Sequence, residues 1–501
     1  MIRKTLRCLM LAGTVLAAPL GASAQVLQVA VDQSPAGLDP HLVTAFSSFQ
    51  IVNGPIYEGL TAVDAGLAVV PSLAASWTVS ADGKTYTFSL QPGVRFHDGA
   101  PMEAADVIAS FHRVMDKAIG SPLASRLATV TTMAAPDAHT VVLTLSEPTA
   151  PLLSALAGIA IVPRGMEANK DALQKQPDGT GPFMFKEWQP NGFILLAKNP
   201  HYWRAGLPKL DGVKFNIVPE SATRQVGIGS GQYAMLPNID PATALQLKGR
   251  PGVALQQTLE LSYTLLGMNT SKPPFNDPRV REAVNYALDR GQMVTAALFG
   301  AGVPGGPLSP ALTQWAVPTS AFPCYRTDPA KAKALLQAAG LTLPVAVTMT
   351  VLPRQDIKDI AQVAQAQMDK AGFKVTLRNV ELGQFIQDWR NSNFEMFASA
   401  NGGSVDPDDY FFRTFRTGGS TNVFKYSNPE VDTLLDQARG TVDQAARKAA
   451  YDKVQRVLAG EVPVAHLAYA QLFTALRGNV HGFRIMANRS LAGLAETSVA
   501  P

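Results

Sequence analysis

Apolar and polar residues alternate with a period of two in several short runs, and each run predicts a strand with one buried face. Residues 26–31 form the first. Trp77 and Val79 close another, Asp82-Gly83 turns the chain, and Tyr86, Phe88 and Leu90 alternate on the return. Residues 139–145 read the same way. Phe183, Phe185 and Trp188 lead through Pro190-Asn191-Gly192 to a run over 193–197, and Val213, Phe215 and Ile217 alternate beyond it. These last three runs predict a small antiparallel unit that needs further strands beside it to be stable.

A period near 3.6 marks the helices. Val107, Ile108, Phe111, Val114 and Met115 share one face, as do Val280, Ala283, Val284, Ala287 and Leu288. Asn276 or Asp277 caps the second of these, with Pro278 in its first turn. Further helices are predicted over 223–231, from Asp328-Pro329 to Gly340, up to Gly372, from Pro429 to Gly440, and over 444–458. Strands at 345–351 and 375–377 flank the helix ending at Gly372. That order implies an α/β lobe whose strand ends carry ligand-binding loops.

At 501 residues the chain must divide into more than one core. Its first 24 residues stand outside any core. Arg3, Lys4 and Arg7 precede an apolar run over 9–18, and Ala22-Ser23-Ala24 supplies small residues for cleavage before Gln25. Pro19 and Gly21 cut the run too short for a membrane anchor. Cys8 stands at the head of this run rather than just after the cleavage point, so no lipid-modified cysteine is expected. The leader holds three cations and no anion, so its removal takes the net charge from +4 to +1. A nearly neutral surface offers no electrostatic case for nucleic acid. Cys324 is then the one cysteine left, which rules out an internal disulfide.

Several residues suggest chemistry and then fail its spacing. GIGSG at 227–231 has Gln232 where a dinucleotide loop needs its third glycine, and Ile228 denies Ser230 a nucleophile elbow. His97-Asp98 reads as a hairpin end. The seven histidines show no paired metal spacing; His41 and His466 are open to ligand contact or to a buried structural role. Asp406, Asp408 and Asp409 lack the glycine and distal glutamate of a calcium loop, so they read as caps or solvated groups. Cys324 reads as a buried thiol.

Four stretches carry a resemblance. They are PIYEGL (55–60), PSLAASWTVSADGKTYTFSLQPGVRFHDGAPMEAADVIASF (71–111), the GTGPF…YW…VPE segment (179–220), and SYTLLGMNTSKPPFNDPRVREAVNYALDRGQMV (262–294). Together with YSNPEVDTLLDQAR (426–439) and EVPVAHLAY (461–469), they resemble the family 5 extracellular solute-binding proteins, the receptors of bacterial ABC importers. The resemblance spans nearly all of the mature chain. It implies an α/β, cluster C periplasmic binding protein: two lobes closing on a cleft, with an extra domain inserted in the first. The implied order is leader 1–24, first lobe 25–58, insert 59–178, first lobe 179–266, last domain 267–472 and first lobe 473–501. The crossings between lobes are expected near Gly267 to Asn269 and near 470–480.

The same resemblance implies the site. Peptide receptors of the family hold the ligand's ammonium on an acid just before an Asp-Pro dipeptide, and here that position is Gly403. Asn401, Gly402, Gly403 and Ser404 form a neutral loop able to approach a ligand closely. Arg354 stands where some dipeptide receptors place an arginine for a carboxylate; a surface arginine before a helix is the competing reading. Ser34, Phe46, Ser47, Asn269, Tyr410 and Asn422 complete the candidates, with Tyr410 equally readable as core. The expected function is capture of a small organic solute, peptide-like or carboxylated, for a membrane permease and its cytoplasmic ATPases. No catalysis, metal or cofactor is expected, and the protein is expected to be a periplasmic monomer. A secreted hydrolase, or a sensory or chaperone receptor on the same fold, is the alternative. With Gly403 at the acidic position, an acidic, neutral or amino-modified ligand is expected over a plain dipeptide.

Overall fold

The computed structural model describes residues 25–43, 45–166 and 171–500. The leader lies outside them, as does part of the polar run before Gly179. Strands and helices alternate along the chain, and ten strands form one continuous path of hydrogen bonds.

At one end of that path lies the antiparallel unit predicted around Gly179. Phe183–Gln189 pairs with Phe193–Lys198, which pairs with Gly212–Ile217. The partner it needs is Val26–Val31, aligned parallel with Gly212–Ile217 over six residues. Met235–Ile239 continues the sheet on the other side of Val26–Val31, also parallel.

Strand Val464–Arg477 joins this half to the next. Its later residues pair with Met235–Ile239 and Val253–Leu259, and its earlier ones with Tyr263–Met268 and Gly302–Pro304. The path then runs through Met396–Asn401 and Val345–Val351 to Phe373–Asn379. Along the incoming chain, Val253–Leu259 and Tyr263–Met268 both pair with Val464–Arg477, and a second partner is added from Tyr263 onward. Tyr263–Met268 pairs residue for residue with Met396–Asn401. The whole of Tyr263–Met268 is buried.

A separate four-stranded antiparallel sheet holds Ala74–Val79, Thr85–Leu90, Thr140–Leu145 and Val130–Asp137. Tyr86, Phe88 and Leu90 are buried while the residues between them are not, as the alternation requires. Helix Ala104–Met115 covers the sheet with Val107, Phe111 and Val114, residues that share its apolar face.

Two carboxylates tie these parts together. Glu58 accepts hydrogen bonds from Thr180 Oγ1 (2.9 Å), Tyr202 OH (2.8 Å) and Trp203 Nε1 (2.9 Å). The aromatic pair after Asn199-Pro200 therefore works as a clamp on the PIYEGL segment. Gly181 is obligatory beside it, because a Cβ there would lie 2.6 Å from the Ile56 carbonyl. The second carboxylate is Asp39, bound in bidentate fashion by Arg113 from helix Ala104–Met115 (2.5 and 3.1 Å) with both side chains inaccessible. Arg113 Nη1 also lies 2.9 Å from His41 Nδ1, and His41 Nε2 lies 2.8 Å from Ala160 O. This assigns the proton of a neutral imidazole to Nε2. Burial holds His41 down at about 4, in keeping with that form.

Candidate ligand-binding cleft

Parallel strands leave their carboxyl ends on one side of a sheet, where ligands of α/β proteins bind. Val26–Val31 and Met235–Ile239 end together in this way, and a pocket of about 140 Å³ opens there, with Asp32 and Asp240 in its lining. Helix Phe46–Val52 adds Phe46 and Gln50, one turn apart on one face. Arg224, from helix Ser221–Ser230, lines it as well, and its Nη1 donates to the carbonyls of Val218 (2.6 Å) and Pro219 (2.7 Å). Asp240 caps the following helix, accepting from Thr243 N (2.8 Å) and Oγ1 (2.7 Å). The tail contributes Arg489. Two lining residues, Asn238 (φ 55°) and Arg489 (φ 62°), have left-handed backbones. Such strain outside glycine collects at binding sites.

Arg489 joins the pocket to a group of charges beside it. Its Nη2 donates to Glu260 Oε1 and its guanidinium lies 5.0 Å from the centre of the Phe46 ring. Burial pushes the Glu260 carboxyl upward against the opposing pull of Arg489 and Arg354. Arg354 itself donates Nε and Nη2 to the two carboxylate oxygens of Asp356 at 2.6 and 2.7 Å.

Of the residues singled out from sequence, Phe46 alone lines this pocket. Ser34 is half-buried, 3.5 Å from Asn191 N, and Ser47 is buried on the helix of Phe46. Asn269 is fully buried and its amide is saturated by Ser392, Phe394 and Ser271. Asn422 is saturated too, binding Arg416 O, Tyr426 O and Tyr426 N within its own turn. Asn401 and Tyr410 gather around Tyr263: Asn401 Nδ2 donates to its hydroxyl (3.0 Å), and the Tyr410 ring stacks on it. Tyr410 is core, donating to Leu261 O at 2.7 Å.

Gly402 stands in open space. Gly403 does not: a Cβ there would sit 2.0 Å from Leu261 O and 2.3 Å from Tyr410 OH. No acid can occupy 403 on this backbone, and the acids of the pocket are Asp32 and Asp240. Gly403→Ala is expected to destabilise the protein by about 1–3 kcal/mol, the usual range for overpacking. Unfolding midpoints of the two proteins check this, and an unchanged midpoint would show that the loop yields.

The remaining polar candidates are accounted for locally. Asp406 caps helix Pro407–Phe415 and pairs with Arg447 at 2.7 Å, Asp408 pairs with Arg439 at 2.6 Å, and Asp409 accepts from Ser404 Oγ. Among the described residues no three His, Cys, Asp or Glu side chains are grouped to hold a metal ion. His97 is bound to Gly181 O through Nε2 (3.0 Å), and burial lowers it to about 4. Cys324 donates to Ala459 O at 2.9 Å, and burial raises its thiol. A larger hollow of about 360 Å³ lies beside His112, Arg113, Met115 and Asp116. We favour the smaller pocket as the ligand site, because Arg113 is already bonded to Asp39 and His41.

Residues 68–422 match the bacterial extracellular solute-binding proteins, family 5 (middle). The chain belongs to this family. A dipeptide-binding protein of Escherichia coli K12 is 28% identical over 504 residues, covering 92% of each chain. A glutathione-binding protein of Pectobacterium atrosepticum is 29% identical over 489 residues, covering 94% of each. The structure of HbpA2 from Haemophilus parasuis superposes with a TM-score of 0.87 at 25% identity, covering 95% of this chain and 100% of that one. The α/β architecture is thus that of a family 5 solute-binding protein. Within it, the sequence-based reading passed over Asp32, Arg224, Asn238, Glu260 and Arg489. Arg489 lies in a tail without periodicity or motif, and only folding carries it 229 residues back to Glu260.

Proposed function

We propose that this solute-binding protein captures a peptide-like, carboxylate-bearing solute between its lobes and hands it to an ABC permease driven by cytoplasmic ATPases. The observation that carries this reading is the pocket at the ends of Val26–Val31 and Met235–Ile239, where acids and arginines from separate segments converge. Its volume suits one end of a ligand, well short of the several hundred cubic ångströms that enclose a whole one. The rest of the ligand would lie between lobes that open and close. The relatives named for dipeptides and glutathione supply the ligand class.

On this reading the leader is cleaved between Ala24 and Gln25, and the mature protein is a periplasmic monomer without lipid anchor or catalytic activity. Residues 25–58, 179–266 and 473–501 form the first lobe, 59–178 its insert and 267–472 the last domain. The first crossing lies near Gly267 to Asn269 and the second near 470–480. Native mass spectrometry of protein purified without denaturation should reveal a retained small molecule with a carboxylate. Small-angle scattering should then show the radius of gyration falling when the stripped protein is refilled. An unchanged radius at saturation would count against lobe closure, and a retained ligand without a carboxylate would count against the ligand class.

A further inference from the structure

Three arginines stand in or beside the cleft, and they differ in what their donors already hold. Arg354 has Nε and Nη2 on the two oxygens of Asp356, the fork-to-fork arrangement that a ligand carboxylate would need. Arg224 is buried as a residue, and its Nη1 serves two backbone carbonyls. Arg489 makes one side-chain hydrogen bond among the described residues, from Nη2 to Glu260. Its side chain is 33% exposed, against 15% for Glu260, so Nε and Nη1 are left for the pocket it lines.

Its placement is built. The Phe46 ring lies below the guanidinium at 5.0 Å, within cation–π range. The backbone N–H donates to Met486 O at 2.9 Å, and the residue keeps a left-handed φ of 62° to direct its side chain this way. Asn238, the other left-handed residue in the lining, is braced by its amide donating to Gln50 Oε1 at 3.0 Å. A small pocket with a half-satisfied guanidinium on its wall suits a planar anion at one end of a ligand.

We propose that Arg489 is the specificity-determining residue for the ligand's carboxylate, with Glu260 as its positioning residue, and that Arg354 does not perform this role. The inference rests on the peptide-like reading above and names the group that reading leaves open. Glu260 holds one edge of the guanidinium, Phe46 supports its face, and the other edge takes the carboxylate.

Calorimetry with matched di- and tripeptide acids and their C-terminal amides tests it, on protein stripped of ligand. Wild type should favour the acids. Arg489→Met should weaken acids at least tenfold and leave amides within twofold. Arg489→Lys should restore part of the preference, since it returns the charge without the fork. Glu260→Gln should fall between wild type and Arg489→Met, and Arg354→Met should keep the preference for acids. An equal loss for acids and amides in Arg489→Met would reduce Arg489 to a structural tie and overturn the proposal. So would a preference abolished by Arg354→Met alone, or amides bound by wild type as tightly as acids. Wild type that binds neither acids nor amides would sink the peptide-like reading itself, and the inference with it. Circular dichroism and the ligand-free unfolding midpoint of each variant separate lost binding from lost folding, and Arg489→Lys serves if Arg489→Met does not fold.

Discussion

Arg113→Met is expected to lower stability by about 3–5 kcal/mol, the usual cost of removing one partner of a buried ion pair. Both members of the Arg113–Asp39 pair are fully inaccessible. Methionine fills much of the space but leaves the Asp39 carboxylate without its guanidinium, accepting from the backbone N–H of His41. It also strips His41 Nδ1 and Met166 O of their hydrogen bonds. The double variant Asp39→Leu/Arg113→Met should recover part of the loss, because it removes the stranded charge as well. Urea unfolding followed by tryptophan fluorescence reads both. A single variant within 1 kcal/mol of wild type would show that water reaches Asp39. The pair links the loop after Val26–Val31 to the helix covering the four-stranded sheet, so its loss should first loosen that junction.

His466→Leu is expected to make the protein less sensitive to acid. His466 is buried among Tyr263 and Phe415, and neither ring nitrogen has a hydrogen-bond partner among the described residues. Burial, helped by Arg290, lowers it from 6.5 to about 3. Below pH 6.5 the unfolded chain takes up a proton at this residue and the folded protein does not, so folding stability falls as pH drops towards 3. At pH 4.5 the penalty reaches about 2.7 kcal/mol, from two units at 1.36 kcal/mol each. Leucine removes it. The stability difference, variant minus wild type, should therefore rise by roughly 2–3 kcal/mol between pH 7.5 and pH 4.5. Taking the difference cancels the other titrating groups: His41 and His97, also lowered by burial, and Asp178 and Asp408, raised by burial to about 6, which act in the opposite sense. A difference that does not change with pH would mean that His466 is already paired or hydrated.

Local pattern carried most of the secondary structure, because short-range rules govern it. Alternation in Tyr86, Phe88 and Leu90 needs only a pleated strand with one buried face. Asp277-Pro278 opens a helix because the aspartate accepts from Arg279 N and proline has no N–H to lose. The buried thiol of Cys324 and the cap at Asp406 were likewise legible, whereas the buried ion pairs of Asp406 with Arg447 and Asp408 with Arg439 were not. The family followed from the wording of a few long segments, whose residues prove to hold the fold together: Glu58 with Thr180, Tyr202 and Trp203 is the instance seen most directly.

The cleft was different. Gly403 reads in sequence as a flexible neutral loop, yet its neighbours Leu261 and Tyr410 leave no room for a Cβ, let alone an acid. Arg354 reads either as a carboxylate receptor or as a surface arginine before a helix, and only the structure shows Asp356, two residues on, filling its fork. Asp32, Arg224 and Arg489 lie far apart along the chain and follow no period. Register across the sheet brings them together, through the parallel pairing of Val29 with Met235 and the closure of the tail onto Glu260. The sequence alone therefore determined the elements, their caps and the family. Which charges meet in the cleft, and which are already neutralised there, was decided by the tertiary structure, because electrostatic and steric contacts depend on distances in space that no local pattern encodes.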